Sequence, residues 1–161
     1  MTNIDSAVEN IDFSISLCLL PSLKTMSLKN VQLDHHALLF LVGDCPYIEH
    51  LSLASCSFEF PQLEFCLESF TLKSLEIKHC KASQAKLYVE NLECLTIVSS
   101  ELKSVILEGC LELKHVNIYA QCLEHFSLYG ECHDVNAIID APALKFIGYA
   151  DRLDSMEASN H

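Results

Sequence analysis

The chain has 161 residues, half of them hydrophobic, with 22 acidic against 10 basic side chains and a formal net charge of −12. This is enough material for one domain with a real core, and the charge repels a phosphate backbone, so nucleic acid is not an expected partner. The longest apolar runs, near 15–20 and 37–42, fall short of the roughly 20 residues that span a bilayer, so no membrane partner is expected.

Lys24 is the first basic residue and follows Asp5, Glu9 and Asp12, unlike the positive start of a secretory signal. The expected location is intracellular, cytoplasmic or nuclear. Residues 1–10 read as a flexible N-terminus, 11–152 as one repeat domain and 153–161 as a disordered tail. The segment LKTMSL (23–28) introduces the pattern apolar-x-x-apolar-x-apolar. A short helix is then predicted near 34–43, with Asp34 as N-cap, about two turns over 35–42 and Gly43 as the stop. Pro46 forbids its continuation. Within LLFLVGDCPYIEHLSLASC (38–56), a helical period gives way to strand alternation, and Gly-Asp-Cys-Pro reads as the corner between two legs of one coil.

The pattern returns in IEHLSL (48–53), LKSLEI (72–77), LECLTI (92–97), LKSVIL (102–107), LKHVNI (113–118), LEHFSL (123–128) and LKFIGY (144–149). Looser copies are FPQLEF (60–65), ASQAKL (82–87) and HDVNAI (133–138). Two such units make a coil of about 20 to 24 residues, the length of a leucine-rich repeat. The apolar-x-apolar ending sends alternate side chains to one face, so Leu75 and Ile77 point inward while Glu76 and Lys78 point outward. A strand with one apolar face cannot bury it alone, and neighbouring coils must stack into parallel sheets. The expected fold class is therefore β-rich α/β, a leucine-rich-repeat solenoid with parallel strands and one short convex helix.

Nine cysteines without an export signal read as thiols packed in the core, and no CxxC knuckle is present. Cys56, Cys80 and Cys110 stand three residues after the second inward position, with Ser100 equivalent in another unit. A small side chain with a weak donor suits the turn leaving a strand. His50 and His115 lie three coils apart, roughly 14 Å at 4.8 Å per strand, too far to share a metal. His115 and His125 fall on opposite faces of the coil. In His79-Cys80 and Cys132-His133 the neighbours point to opposite sides, which disfavours a catalytic pair.

No catalytic, metal or cofactor residues, and no enzyme activity, are expected. The candidate partner-binding residues are the outward ones on the legs from 48, 72, 92 and 113: His50, Ser52, Glu76, Lys78, Thr96, Asn117 and Tyr119. Lys86, Ser104, Glu108, His125, Ser127 and Tyr129 form a second stripe on the other legs. A thiol- or metal-dependent protein and a small-ligand receptor fragment are the alternatives.

LLFLVGDCPYIEHLSLASC, together with LPSLKTMSLKNVQL (20–33) and DAPALKFIGYAD (140–151), resembles the C-terminal repeats of plant F-box proteins with leucine-rich repeats, of the FBD type. In that family the F-box holds the Skp-type adaptor of a cullin ubiquitin ligase, and the repeats face the protein to be ubiquitinated. The resemblance implies a substrate-recognition module for an unknown target protein. No F-box is recognised ahead of the repeats, so adaptor binding by this chain alone is not expected.

Overall fold

Residues 2–5, 22–33, 43, 45–58 and 64–150 are described in a computed structural model. The strands are β1 (Thr2–Asp5), β2 (Thr25–Lys29), β3 (Gln32–Leu33), β4 (His50–Ala54), β5 (Ser57–Phe58), β6 (Glu64–Ser69) and β7 (Ser74–Lys78). They continue as β8 (Gln84–Val89), β9 (Cys94–Ser99), β10 (Ser104–Glu108), β11 (His115–Ala120), β12 (His125–Tyr129), β13 (Asn136–Asp140) and β14 (Phe146–Ala150). The helix expected near 34–43 lies, Gly43 apart, outside the described residues, as does the tail 153–161. Thr2–Asp5, within the stretch expected to be flexible, pairs with β2 as an edge strand.

All pairing among these strands is parallel, and the two legs of each coil go to two different sheets. One sheet has seven strands in the order β1-β2-β4-β7-β9-β11-β13, the other five in the order β14-β12-β10-β8-β6. The short strands β3 and β5 make a third, two-stranded sheet beside the first coils. The molecule is a parallel β-solenoid. Ser74 stands opposite Cys94, Cys94 opposite His115 and His115 opposite Asn136, so each later coil advances one rung in 20 or 21 residues. The earlier coils need 25 and 24, from Thr25 to His50 and from His50 to Ser74.

Because every rung is in register, like positions stack into continuous ladders. Met26, Leu51, Leu75, Leu95 and Val116 form one inward ladder of the seven-stranded sheet, and Leu28, Leu53, Ile77, Ile97 and Ile118 the other. The five-stranded sheet contributes Phe65, Ala85, Val105 and Phe126, then Leu67, Leu87, Leu107 and Leu128. Both sets belong to one core cluster. Fully burying each such leucine or isoleucine contributes about 1.5–3 kcal/mol, against which the chain ordering of the coil must be set.

Two loose repeat copies are corrected by the pairing. Phe65 and Leu67 are the inward residues of β6, so FPQLEF is out of step by two, which keeps the faces but moves the rung. HDVNAI is out by one: Ala137 pairs with Val116 and Ile139 with Ile118, so Asn136 and Ile138 face outward. A period of two makes the first error harmless to side-chain direction and the second a swap of faces.

The corners explain why the chain can turn so often with only four glycines. Before β4, β9 and β12, tight turns close by Ile48 N–H donating to the Cys45 carbonyl, Leu92 to Val89 and Leu123 to Ala120. The Cys-Pro corner is therefore a turn entering a strand. After β2, β4 and β7, the residues Asn30, Ser55 and His79 adopt left-handed backbone at φ of 57°, 53° and 54°, where Gly109 has 65° after β10. A side chain there is strained by roughly 1–2 kcal/mol, part of which glycine relieves. His79→Gly is expected to raise the unfolding free energy by about 0.5–1 kcal/mol, and Gly109→Ala to lower it by about 1 kcal/mol. Urea unfolding checks both; a cost for His79→Gly would mean the exposed imidazole holds the corner.

Among the eight described cysteines five meet the core expectation and three do not, and Cys18 lies outside the described residues. Cys45, Cys56, Cys80, Cys110 and Cys132 are buried, whereas Cys66 and Cys94 sit on outer faces and Cys122 is exposed in a turn. Position, not apolar character, decides this: within a strand Cys66 lies between the inward Phe65 and Leu67, whereas Cys56, Cys80 and Cys110 turn inward at the corners beyond the strand ends. Cys56 donates to the Leu28 and Ala54 carbonyls, Cys80 to Leu53 and Lys78, and Cys132 to Cys110. These are the weak donors expected of the turn. Ser100, placed with them by sequence, is exposed; β9 runs to Ser99, and this buried residue makes that corner instead.

Candidate partner-binding face

The seven candidate residues come together on the outer surface of the seven-stranded sheet. Its first outward row runs Thr25, His50, Ser74, Cys94, His115 and Asn136; the second runs Ser27, Ser52, Glu76, Thr96 and Asn117. Lys78 and Tyr119 fall in the third, separated by Val98. Neighbours in a row are one strand apart, about 4.8 Å, so a flat surface several rungs wide carries hydroxyl, amide, charged and aromatic groups without a gap in its backbone support.

Glu76 is the electrostatic centre of this face. Lys78 Nζ stands 2.6 Å from one carboxylate oxygen, and Ser52 Oγ donates to the other at 2.8 Å. The Lys78 ammonium first, and the Ser52 hydroxyl to a smaller extent, hold the Glu76 carboxyl below the usual carboxylate range, partly opposed by burial. Tyr119 is 45% exposed and His50 is exposed, so neither is used up by the core. A shallow groove of about 420 Å³ crosses the first rungs, lined among others by Thr25, Ser27, His50, Ser52 and Glu76.

Thr25 and Ser27 belong to this face and were missed as candidates, although LKTMSL carries the same pattern and signals them. His115 shares the face with His50, three strands along, and His125 lies on the other sheet. Among the described residues no three His, Cys, Asp or Glu side chains converge to hold a metal ion. The second stripe maps to the five-stranded sheet, but Ser127 there is buried; the Phe146 ring lies over Gly148, next to it.

A feature absent from the candidate set runs along the turn edge of the same sheet. Lys24, Glu49, Lys73, Glu93 and Lys114 immediately follow the corner ladder, and each successive N–H donates to the preceding carbonyl. Their charges alternate rung by rung, with Glu49 3.1 Å from Lys24 and 3.3 Å from Lys73, and Lys114 2.8 Å from Glu93. Lys24 and then Lys73 hold the Glu49 carboxyl below its usual range. Each exposed pair contributes little, but alternation keeps like charges from stacking in a parallel register. Glu124 and Lys145 repeat the device at 3.1 Å on the five-stranded sheet.

Fold and face together define a parallel β-solenoid repeat protein with a broad polar-aromatic surface. No family model, curated protein or solved structure matches the chain. Among the described residues no helix is long and apolar enough to cross a membrane.

Proposed function

We propose that this chain is a non-catalytic protein-interaction module of leucine-rich-repeat type, presenting the outer face of its seven-stranded sheet to a target protein. In its finer form the reading follows the resemblance to plant F-box receptors: the face takes the role of the substrate-recognition repeats of a ubiquitin ligase. The carrying observation is the convergence of His50, Ser52, Glu76, Lys78, Thr96, Asn117 and Tyr119 on one rigid surface. Exposed Tyr119 and, two strands away on the same face, a buttressed Glu76–Lys78 pair supply aromatic and charged groups of the kind that dominate protein recognition.

The test couples purified chain to beads and challenges it with a plant cell extract beside a Glu76→Lys/Tyr119→Ala double variant and a Phe70→Ser variant altered on the turn edge. A target retained by the parent and by Phe70→Ser, but reduced at least about tenfold by the double variant, is expected. Retention indifferent to the face substitutions removes the reading.

The thiols provide a check on the thiol- or metal-dependent alternative. The Cys80 thiol is held above its ordinary range by its hydrogen bond to Cys56 and by burial, and burial pushes Cys110 up to about 11. In the native protein Cys122 is expected to react with a thiol reagent first and Cys66 and Cys94 more slowly, with the five buried thiols reacting only on unfolding. One hyper-reactive buried thiol, or stoichiometric zinc in untagged protein, would favour the alternative.

A further inference from the structure

The seven-stranded sheet ends on β13 and the five-stranded sheet on β14, consecutive legs at the same end of the solenoid. Their inward positions continue the core ladders: Ala137 and Ile139 follow Val116 and Ile118, and Ile147 and Tyr149 follow Phe126 and Leu128. One rung earlier these positions are at most 7% exposed, whereas Ile147 is 63% and Tyr149 58% exposed. A cross-section of the core therefore meets solvent here. Tyr149 Oη donates to the Cys132 carbonyl at 3.3 Å, which holds its ring in place at this end.

The backbone of this rung is open as well. Asn136 N–H donates to the Lys114 carbonyl on the β11 side, and successive amides of a strand point to opposite edges. Ala137 and Ile139 thus turn their N–H and C=O groups to the edge that no described strand pairs. Exposed edges are ordinarily protected by charge or proline. The opposite outer strand of the five-stranded sheet, β6, carries Glu64 and Glu68. The five residues of β13 and the five of β14 include one charge, Asp140, in a chain of net −12.

A twofold axis normal to the sheets satisfies all of this with one occupant. Setting β13 antiparallel to its own copy, with Ile138 opposite the partner's Ile138, puts Ala137 opposite the partner's Ile139. Those are hydrogen-bonded pairs, in which each residue exchanges both bonds with the other. The even offset keeps inward residues inward, and Asp140 meets the amide of the partner's Asn136 rather than a second carboxylate. The same axis lays β14 beside its copy, so the two open cores join.

We infer that the β13–β14 end docks a second copy of this chain, making a symmetric dimer in which both sheets run through the interface. Strands of about 17 Å in sheets about 10 Å apart, widened by their side chains, cover roughly 600 Å² of each copy. The total of about 1,200 Å² stands at the lower limit for a specific interface. Both seven-stranded faces then lie on the same side, so the dimer doubles the candidate partner-binding face without using it.

Sedimentation equilibrium of the full chain between about 1 and 300 µM tests this, with a monomer–dimer Kd of about 10–100 µM expected. At about 1 µM the chain is expected to be monomeric, and substitutions at this end then cost no more than those of other exposed residues. Ile139→Lys and Ile147→Lys place an ammonium in the joint core and are each expected to raise Kd at least about tenfold. Glu76→Lys on the sheet face is expected to leave it unchanged. Circular dichroism at the lowest concentration reports whether each variant folds, and the two lysines lie on different sheets, so one decides where the other fails. Amide exchange at Ala137 and Ile139 in the unaltered chain is expected to slow several-fold from dilute to concentrated protein. A monomer at every concentration overturns the proposal; if those two amides are nonetheless protected in it, the edge belongs to the residues that follow Ala150. Assemblies that grow beyond the dimer, or a dimer that folded lysine variants form as readily as the parent, overturn it equally.

Discussion

Truncating Leu95 to alanine is expected to lower the unfolding free energy by about 3 kcal/mol, within the 2–5 kcal/mol typical of buried leucines. Leu95 is 0% exposed and stands in the ladder between Leu75 and Val116. Backbone hydrogen bonds fix the rungs on either side, so the space left by the deleted methyl groups cannot close by sliding the strands together. Ile147 occupies the matching kind of inward position opposite Phe126 on β14, but it is 63% exposed. Its replacement by alanine is expected to cost less than about 0.5 kcal/mol. Urea denaturation with an unchanged slope measures both. Equal costs would mean that the middle and the final rung are buried alike, which the stacked arrangement forbids.

Ser99→Ala is expected to cost about 2 kcal/mol, although the deletion is a single oxygen. Ser99 Oγ accepts the N–H groups of Glu101 and Leu102 at 3.2 and 3.1 Å in the corner between β9 and β10. Ser99 is buried, and Leu102 is buried with it, so the alanine variant leaves two turn donors without their acceptor. Ser69 makes the same corner through Thr71 and Leu72 at 3.3 and 3.2 Å, and its alanine variant is expected to behave alike. Ser100 next door is exposed, and Ser100→Ala is expected to change stability by less than about 0.5 kcal/mol. Comparable losses at Ser99 and Ser100 would remove the hydroxyl cap as the reason this corner holds.

The repeat pattern was legible because it is local. Three apolar residues at fixed offsets marked Met26 and Leu28, Leu75 and Ile77, and Leu95 and Ile97 as inward, and their burial agrees. The same alternation marked His50, Ser52, Glu76 and Tyr119 as outward, and the pairing places them on one sheet face. Where the apolar offsets were weak the reading slipped, as at 133–138, since one residue of error exchanges the two faces. The thiols show a related limit: cysteine is small enough for either face, so Cys66 and Cys94 could be placed only by their position within β6 and β9.

The alternation of Lys24, Glu49, Lys73, Glu93 and Lys114 was printed in the very segments that define the repeat. It could not be seen as a ladder until the topology assigned alternate legs to separate sheets, because Lys103 interrupts the order along the chain. The end face of β13 and β14 is likewise assembled from legs that belong to separate sheets.

By itself, then, the order of amino acids determined the strand period, the residues that face the core and the parallel stacking of coils, because a two-residue alternation acts within a few bonds. Tertiary structure alone decided which legs share a sheet, how many residues each coil spends per rung, and which side chains become neighbours on the face and along the edge. Those outcomes depend on hydrogen bonding between segments 20 to 25 residues apart, and no local pattern fixes that register.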